Sequence, residues 1–140
     1  MIVTRSFSVN SDRYYISADA LLCIASNHDL KPRLLRTMEG LDAQIFTSAI
    51  SISKISEEFS PQAFADFLPI VKTLLDDLEA FSIRDIEHAL ELTQRHKVDR
   101  QIAFEAAVAL GRSSGNVISI SEKFDLIPGI KRLRIENESD

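Results

Sequence analysis

Apolar positions along the chain switch repeatedly between two periods. Short runs of strand type, Tyr14-Tyr15-Ile16, Gln44-Ile45-Phe46, Phe81-Ser82-Ile83, Val117-Ile118-Ser119-Ile120 and Ile130 to Ile135, are separated by longer stretches in which apolar residues recur at helical spacing. Such alternation predicts an α/β fold, a single domain whose helices flank a central, twisted parallel sheet of about four or five strands.

The helical stretches carry their own start and stop signals. Ala18 to Ala25 is apolar enough for deep burial and ends at Asn27-His28-Asp29, and Leu30 to Glu39 is more basic and stops at Gly40. Thr47 and Ser48 offer N-cap hydroxyls to a helix over Ala49 to Phe59 with Ile52, Ile55 and Phe59 inward. Ser60-Pro61 opens the next helix, with Phe64, Phe67 and Leu68 inward, a bend or restart at Pro69, and a continuation over Val71 to Leu78. Asp85 is placed to cap Ile86 to His96, and a last helix runs from Val98-Asp99 past Ile102, Ala103, Ala106 and Leu110 to Gly111.

Composition narrows the function classes. Sixteen Lys and Arg against 21 Asp and Glu leave 140 residues with a formal charge of -5, so any nucleic-acid surface has to be local. One cysteine, Cys23, excludes an internal disulfide framework and fits a reducing, cytoplasmic compartment. Met1 to Asn10 lacks the apolar core of a signal peptide, and no segment approaches the roughly 20 apolar residues of a membrane span, so neither secretion nor membrane insertion is expected. Residues 1–12 read as an N-terminal arm or extra strand, 13–135 as the domain, and 136–140 as an acidic tail expected to be disordered.

Three stretches, in order and at matching separations, resemble the PIN domain, the fold of many small ribonucleases including toxins of toxin-antitoxin pairs. They are Ile16-Ser17-Ala18-Asp19-Ala20-Leu21-Leu22, the Ser-rich start Thr47-Ser48-Ala49-Ile50-Ser51-Ile52-Ser53-Lys54-Ile55, and a closing series. That series comprises Ala89-Leu90-Glu91-Leu92, Asp99-Arg100-Gln101-Ile102-Ala103 and Phe124-Asp125-Leu126-Ile127-Pro128-Gly129-Ile130. The resemblance spans about Tyr14 to Leu133. It implies three or four carboxylates at the C-terminal ends of the strands, holding one or two Mg²⁺ or Mn²⁺ ions that activate water for phosphodiester cleavage.

Most of that acidic cluster is missing from this chain. Matched on Leu21-Leu22, the first acidic position is Ser17, with Asp19 two residues later. The second falls on Lys54, with Glu57 and Glu58 one helical turn on. The third is Asp99, followed in its helix by Glu105, and the fourth falls on Ser119 or Ser121, next to Glu122. Asp99 and Asp19 are thus the residual acids, and Lys54 is expected to point into the cleft and pair with Asp99 in place of a metal. On this reading no cofactor is expected; an active enzyme would take Mg²⁺ or Mn²⁺ on Asp19, Asp99 and one of Glu57, Glu58, Glu105 or Glu122.

The other chemically suggestive residues have ordinary explanations. His28 and His96 lie near helix ends, His88 lies within a helix, and Cys23 reads as a small core residue. Arg95, Lys97 and Arg100 are the candidate RNA contacts; Arg112, Lys31, Arg33 and Arg36 are surface residues that could join them. The resemblance, with Phe64, Phe67, Leu68, Val71 and Leu75 on adjoining turns, implies a homodimer or a groove for an antitoxin-like protein. Three functions follow: a PIN-like protein with a decayed metal site that binds a protein or RNA partner, an active toxin-type endoribonuclease, and a structural homodimeric subunit.

Overall fold

The computed structural model describes residues 12–135. The arm expected before Asp12 and the tail expected after Ile135 lie outside the described residues; Asp12 itself opens the first strand. The sheet is parallel, with five strands in the order β3-β2-β1-β4-β5: β1 Asp12–Ile16, β2 Ala43–Ser48, β3 Asp77–Glu79, β4 Asn116–Ile118 and β5 Lys131–Arg132. The helices are α1 Ala18–Ala25, α2 Lys31–Glu39, α3 Ala49–Glu58, α4 Pro61–Leu74, α5 Ile83–His96 and α6 Arg100–Arg112, with a 3-10 turn over Glu122–Leu126.

Alternation along the strands builds a core on each side of the sheet. Ile16, Ile45 and Ile118 pack with α1 to α4, while their neighbours Tyr15, Phe46 and Val117 pack with α5 and α6. Ala103, Ala106, Ala107 and Ala109 are buried along α6, so that helix lies close against the strands. Strand order reverses at β1, which has β2 on one side and β4 on the other. In an open parallel sheet that reversal leaves a crevice beyond the strand ends, and ligand sites form there.

Several boundaries differ from the sequence reading. The third strand is Asp77–Glu79 rather than Phe81-Ser82-Ile83, so α4 ends at Leu74 instead of continuing to Leu78. Asp77-Leu78-Glu79 has a poor strand composition and forms because β2 offers it a parallel edge, from Phe46↔Asp77 to Ser48↔Glu79. Ser82 has a stronger local alternative: its hydroxyl accepts from the Asp85 N–H at 3.2 Å while the Asp85 carboxylate accepts from the Ser82 N–H at 2.8 Å. Asp85 therefore closes a capping box and is not itself the cap of α5.

α4 passes through Pro69 without restarting. The carbonyl that loses its donor there belongs to Ala65, on the exposed side, where water can satisfy it. Leu68 shares that outer side and is exposed. α6 runs one residue past Gly111, and the last two strands are shorter than expected, Ile118 closing β4 and Arg132 closing β5.

Gly115 leads into β4 at φ +85°, and a Cβ there would stand 2.0 Å from the Gly129 carbonyl oxygen. Gly115→Ala would combine a left-handed backbone penalty with a collision against a main chain tied by the Lys131 N–H to the Gly115 carbonyl at 2.7 Å. It should destabilise the fold by at least about 2 kcal/mol, lowering the melting temperature by roughly 5–10 °C. Calorimetry of the purified variant checks this, and an unchanged melting temperature would refute the close approach.

Candidate functional site

The ends of β1, β2 and β4 carry hydroxyls. Ser17, Thr47, Ser48, Ser51 and Ser119 are all buried there. Thr47 Oγ1 donates to the Ile16 carbonyl at 2.7 Å and also bonds Ser51 Oγ. Ser48 occupies the N-cap position of α3, but its hydroxyl caps nothing; it lies 2.9 Å from Tyr15 Oη. Ser17 does cap α1, accepting from the Ala20 N–H at 3.3 Å.

Two carboxylates project among these hydroxyls. Asp19, in the first turn of α1, accepts from Ser17 Oγ, from Ser119 Oγ at 2.7 Å and from the Ile120 N–H at 3.3 Å. Glu105 projects from the middle of α6 and is 2% exposed. It accepts from Tyr15 Oη at 2.8 Å, from the Ala18 N–H at 2.9 Å and from Gln101 Nε2 at 3.0 Å. With the phenol donating to Glu105, the Ser48 hydroxyl supplies the hydrogen between itself and Tyr15.

Burial dominates the titration of this pair. It pushes Glu105 up to about 7, against the pull of the bonds from Gln101, Tyr15 and Ala18, and the charge of Asp19 adds to the rise. Tyr15 is raised well above its ordinary value, first by burial and then by Glu105, so it remains a neutral donor.

A cleft of about 510 Å³ opens over these groups, lined by Asp19, Glu105, Lys54, Asp99, Arg100, Lys123 and their neighbours. Residual acids Asp19 and Asp99 thus reach one cleft, together with Lys54 and Ser121, while Ser17 and Ser119 lie beneath, bonded to Asp19. The expected pairing of Lys54 with Asp99 is not formed. Lys54 Nζ lies 3.9 Å from Glu58 on its own helix, and the ammonium on Asp99 is that of Lys123, at 3.3 Å. α3 explains the first contact, since Lys54 and Glu58 are one turn apart.

Asp99 is exposed at the rim, where its other oxygen caps α6 by accepting from the Ile102 N–H at 2.9 Å. Glu105, named only as a substitute from sequence, is the deepest carboxylate of the site. Its neighbours Tyr15, Ser48 and Gln101 were missed because apolar periodicity assigns Tyr15 to a strand and says nothing of what its hydroxyl reaches. Glu57, Glu58 and Glu122 are exposed and do not line the cleft. Of the candidate RNA contacts only Arg100 lines it; Arg95 pairs with Glu91 at 3.8 Å, and Lys97 closes α5 in a left-handed conformation.

The donor set fits a divalent ion poorly. Among the described residues no three His, Cys, Asp or Glu side chains converge on one point. Glu105 accepts bonds on both oxygens, Asp19 gathers its bonds on Oδ1 and leaves Oδ2 only the second Ser119 contact at 3.0 Å, and Lys54, Arg100 and Lys123 bring positive charge to the same space. Mg²⁺ requires open carboxylate oxygens in octahedral array.

No family model matches the chain, and no curated protein matches its sequence. Solved structures do match its fold. VapC20 of Mycobacterium tuberculosis, a toxin that cleaves the sarcin-ricin loop, is 15% identical with a TM-score of 0.67 over 84% of this chain and 96% of its own. VapBC2 of Rickettsia felis, bound to a DNA fragment from their promoter, is 15% identical with a TM-score of 0.66 over 86% and 97%. A toxin-antitoxin complex from Klebsiella pneumoniae is 18% identical with a TM-score of 0.66 over 84% and 95%. The chain therefore has the PIN-like α/β fold that the sequence resemblance implied.

A raised Glu105 makes stability fall as pH rises. Between the ordinary carboxylate value near 4.5 and about 7, the folded chain holds a proton that the unfolded chain has released. Stability should thus decline by about 3 kcal/mol across that window and level off above it. Glu105→Gln keeps an oxygen for Tyr15 and Ala18, and its amide can donate to Gln101 once that amide turns over. Denaturant unfolding should show the variant gaining on the parent from pH 5 to pH 8, whereas a constant difference would show that Glu105 does not titrate there.

Proposed function

We propose that this chain is a PIN-like protein whose nuclease metal site has decayed and which acts by binding a protein or RNA partner rather than by cleaving RNA. One observation carries the reading: every acid of the cleft is engaged by the chain itself, Asp19 by hydroxyls and an amide, Glu105 by Tyr15, Ala18 and Gln101, Asp99 by Lys123. Lys54 adds a cation at the position the resemblance gives to a ligand. At about 4 Å and an effective dielectric of about 20, an ammonium opposes each unit of an ion's charge by about 4 kcal/mol. The Klebsiella neighbour is a toxin-antitoxin complex, which supports an antitoxin-like protein as the kind of partner.

Assembly as a homodimer belongs to this proposal, and a second apolar face joins the one expected from sequence as a candidate for it. On the expected face Phe67 and Val71 are buried in the domain's own core and Phe64 and Leu75 pack against it, while Leu68 is exposed and lines a cleft of about 390 Å³ with Ile52, Val71 and Leu75. Ile83, Ile86 and Leu90 are more fully exposed along one side of α5, at 76%, 40% and 50%, and an apolar stripe of that kind favours a second apolar surface. Sedimentation at tens of micromolar should give a dimer that Ile86→Ser with Leu90→Ser converts to monomer. A monomeric parent chain would refute this assembly.

Metal titration tests the decayed site. A ligand at one hundred times its dissociation constant adds about 2.7 kcal/mol, roughly 10 °C in a domain of this size. Millimolar Mg²⁺ or Mn²⁺ should leave the melting temperature unchanged, and neither single-stranded nor structured RNA should be cut. Metal-dependent stabilisation and cleavage, both lost in Asp19→Asn, would establish the alternative, an active endoribonuclease of the toxin type.

A further inference from the structure

Three cationic side chains from three separate elements line the cleft: Lys54 of α3, Arg100 at the start of α6 and Lys123 of the 3-10 turn. Their present partners hold them loosely. Lys54 and Lys123 make ion pairs with side chains about half exposed, at 3.9 Å and 3.3 Å, and exposed pairs of this kind are weak because water screens them. Among the described residues no acidic side chain pairs with Arg100. Ser121 Oγ accepts from the Lys123 N–H at 3.3 Å, which leaves its own hydrogen available to donate into the cleft.

The acids beneath do not cancel this charge in the same way. Glu105 meets its donors inside the fold on both oxygens, and Asp19 gathers its bonds on Oδ1, with only the second Ser119 contact, at 3.0 Å, on Oδ2, so one carboxylate oxygen faces the three cations. Donors that approach from three elements suit a tetrahedral group better than a planar one, because a phosphate presents oxygens in several directions and a carboxylate only two in one plane. At about 510 Å³ the cleft lies within the range of ordinary small-ligand sites and has room for a nucleotide.

We propose that the cleft binds a phosphate group directly through Lys54, Arg100 and Lys123, with no divalent ion between protein and phosphate. This rests on the decayed-site reading and sharpens it, since the charge a metal would contribute is supplied by side chains. A chain of net charge -5 gives no long-range attraction to a polyanion, so these local contacts have to provide the affinity.

The test measures fluorescence anisotropy of a labelled single-stranded oligoribonucleotide, with and without EDTA. Binding should be equal in EDTA and in Mg²⁺. Lys54→Met and Arg100→Ala should each weaken it about tenfold and flatten its salt dependence, whereas Lys131→Met, outside the cleft, should not. Thermal melts confirm that these variants, all at accessible side chains, remain folded. Competition then separates the sources. Displacement by inorganic phosphate assigns recognition to the phosphate alone, displacement by AMP where phosphate fails assigns it to a nucleotide, and either supports the proposal. Absence of binding, or binding insensitive to both cleft variants, overturns it, and the metal titration still decides the decayed-site reading. Binding that needs Mg²⁺ and is lost in Asp19→Asn overturns both.

Discussion

A carboxylate buried beneath strand ends has to be either neutral or fully hydrogen-bonded, and Glu105 meets that condition by joining several elements. Its three donors come from β1, from the first N–H of α1 and from the previous turn of α6. Through Tyr15 it also reaches Ser48, where β2 becomes α3. The position of α6 over the sheet, the corner between β1 and α1, and the floor of the cleft therefore depend on one side chain. Without Glu105 the Ala18 N–H would be a buried donor with no acceptor, at a cost of about 1–3 kcal/mol, and Tyr15 would be left with Ser48 alone.

The same requirement decides the chemistry of the rest of the site. Among the described residues no buried side-chain nitrogen or oxygen lacks a hydrogen-bond partner. Small hydroxyls achieve this where a cluster of acids would need counter-charge: Ser17 and Ser119 turn toward Asp19, and Thr47 and Ser51 turn toward each other and nearby carbonyls.

Charge is used differently at the opposite end of α6. Arg112 makes a two-pronged contact with Asp85 at 3.0 and 2.7 Å and reaches Glu79 at 3.2 Å, while Arg13 lies 4.1 Å over the Phe46 ring and contacts Asp77 and Glu79. Burial pushes Asp85 up, but the bonds from Arg112 and Ser82 outweigh it and hold its carboxyl below the ordinary range. These ion pairs are geometrically matched and tie β3, α5 and α6 together. The ammonium groups of the cleft are loosely paired and accessible, which is the condition of groups able to take a ligand.

The period of the apolar positions was enough to determine an α/β domain with a parallel sheet, because each face of each strand and one stripe of each helix must be buried whatever the topology. Local start and stop signals also carried α1 as far as Ala25 and marked Ser60 as a cap, since capping is a local interaction of residues three apart, while Asp99, read as a residual acid, caps α6 as well. The order of the closing motifs led to the PIN-like resemblance. Tertiary structure alone decided that Asp77-Leu78-Glu79 is a strand, because an edge offered by β2 outweighs its composition. It alone decided that Ser48 serves Tyr15 instead of capping α3, that Lys123 rather than Lys54 meets Asp99, and that Glu105 occupies the centre. Those choices bring together residues as many as 90 positions apart in the sequence, and no local pattern records which hydroxyl a buried carboxylate will find.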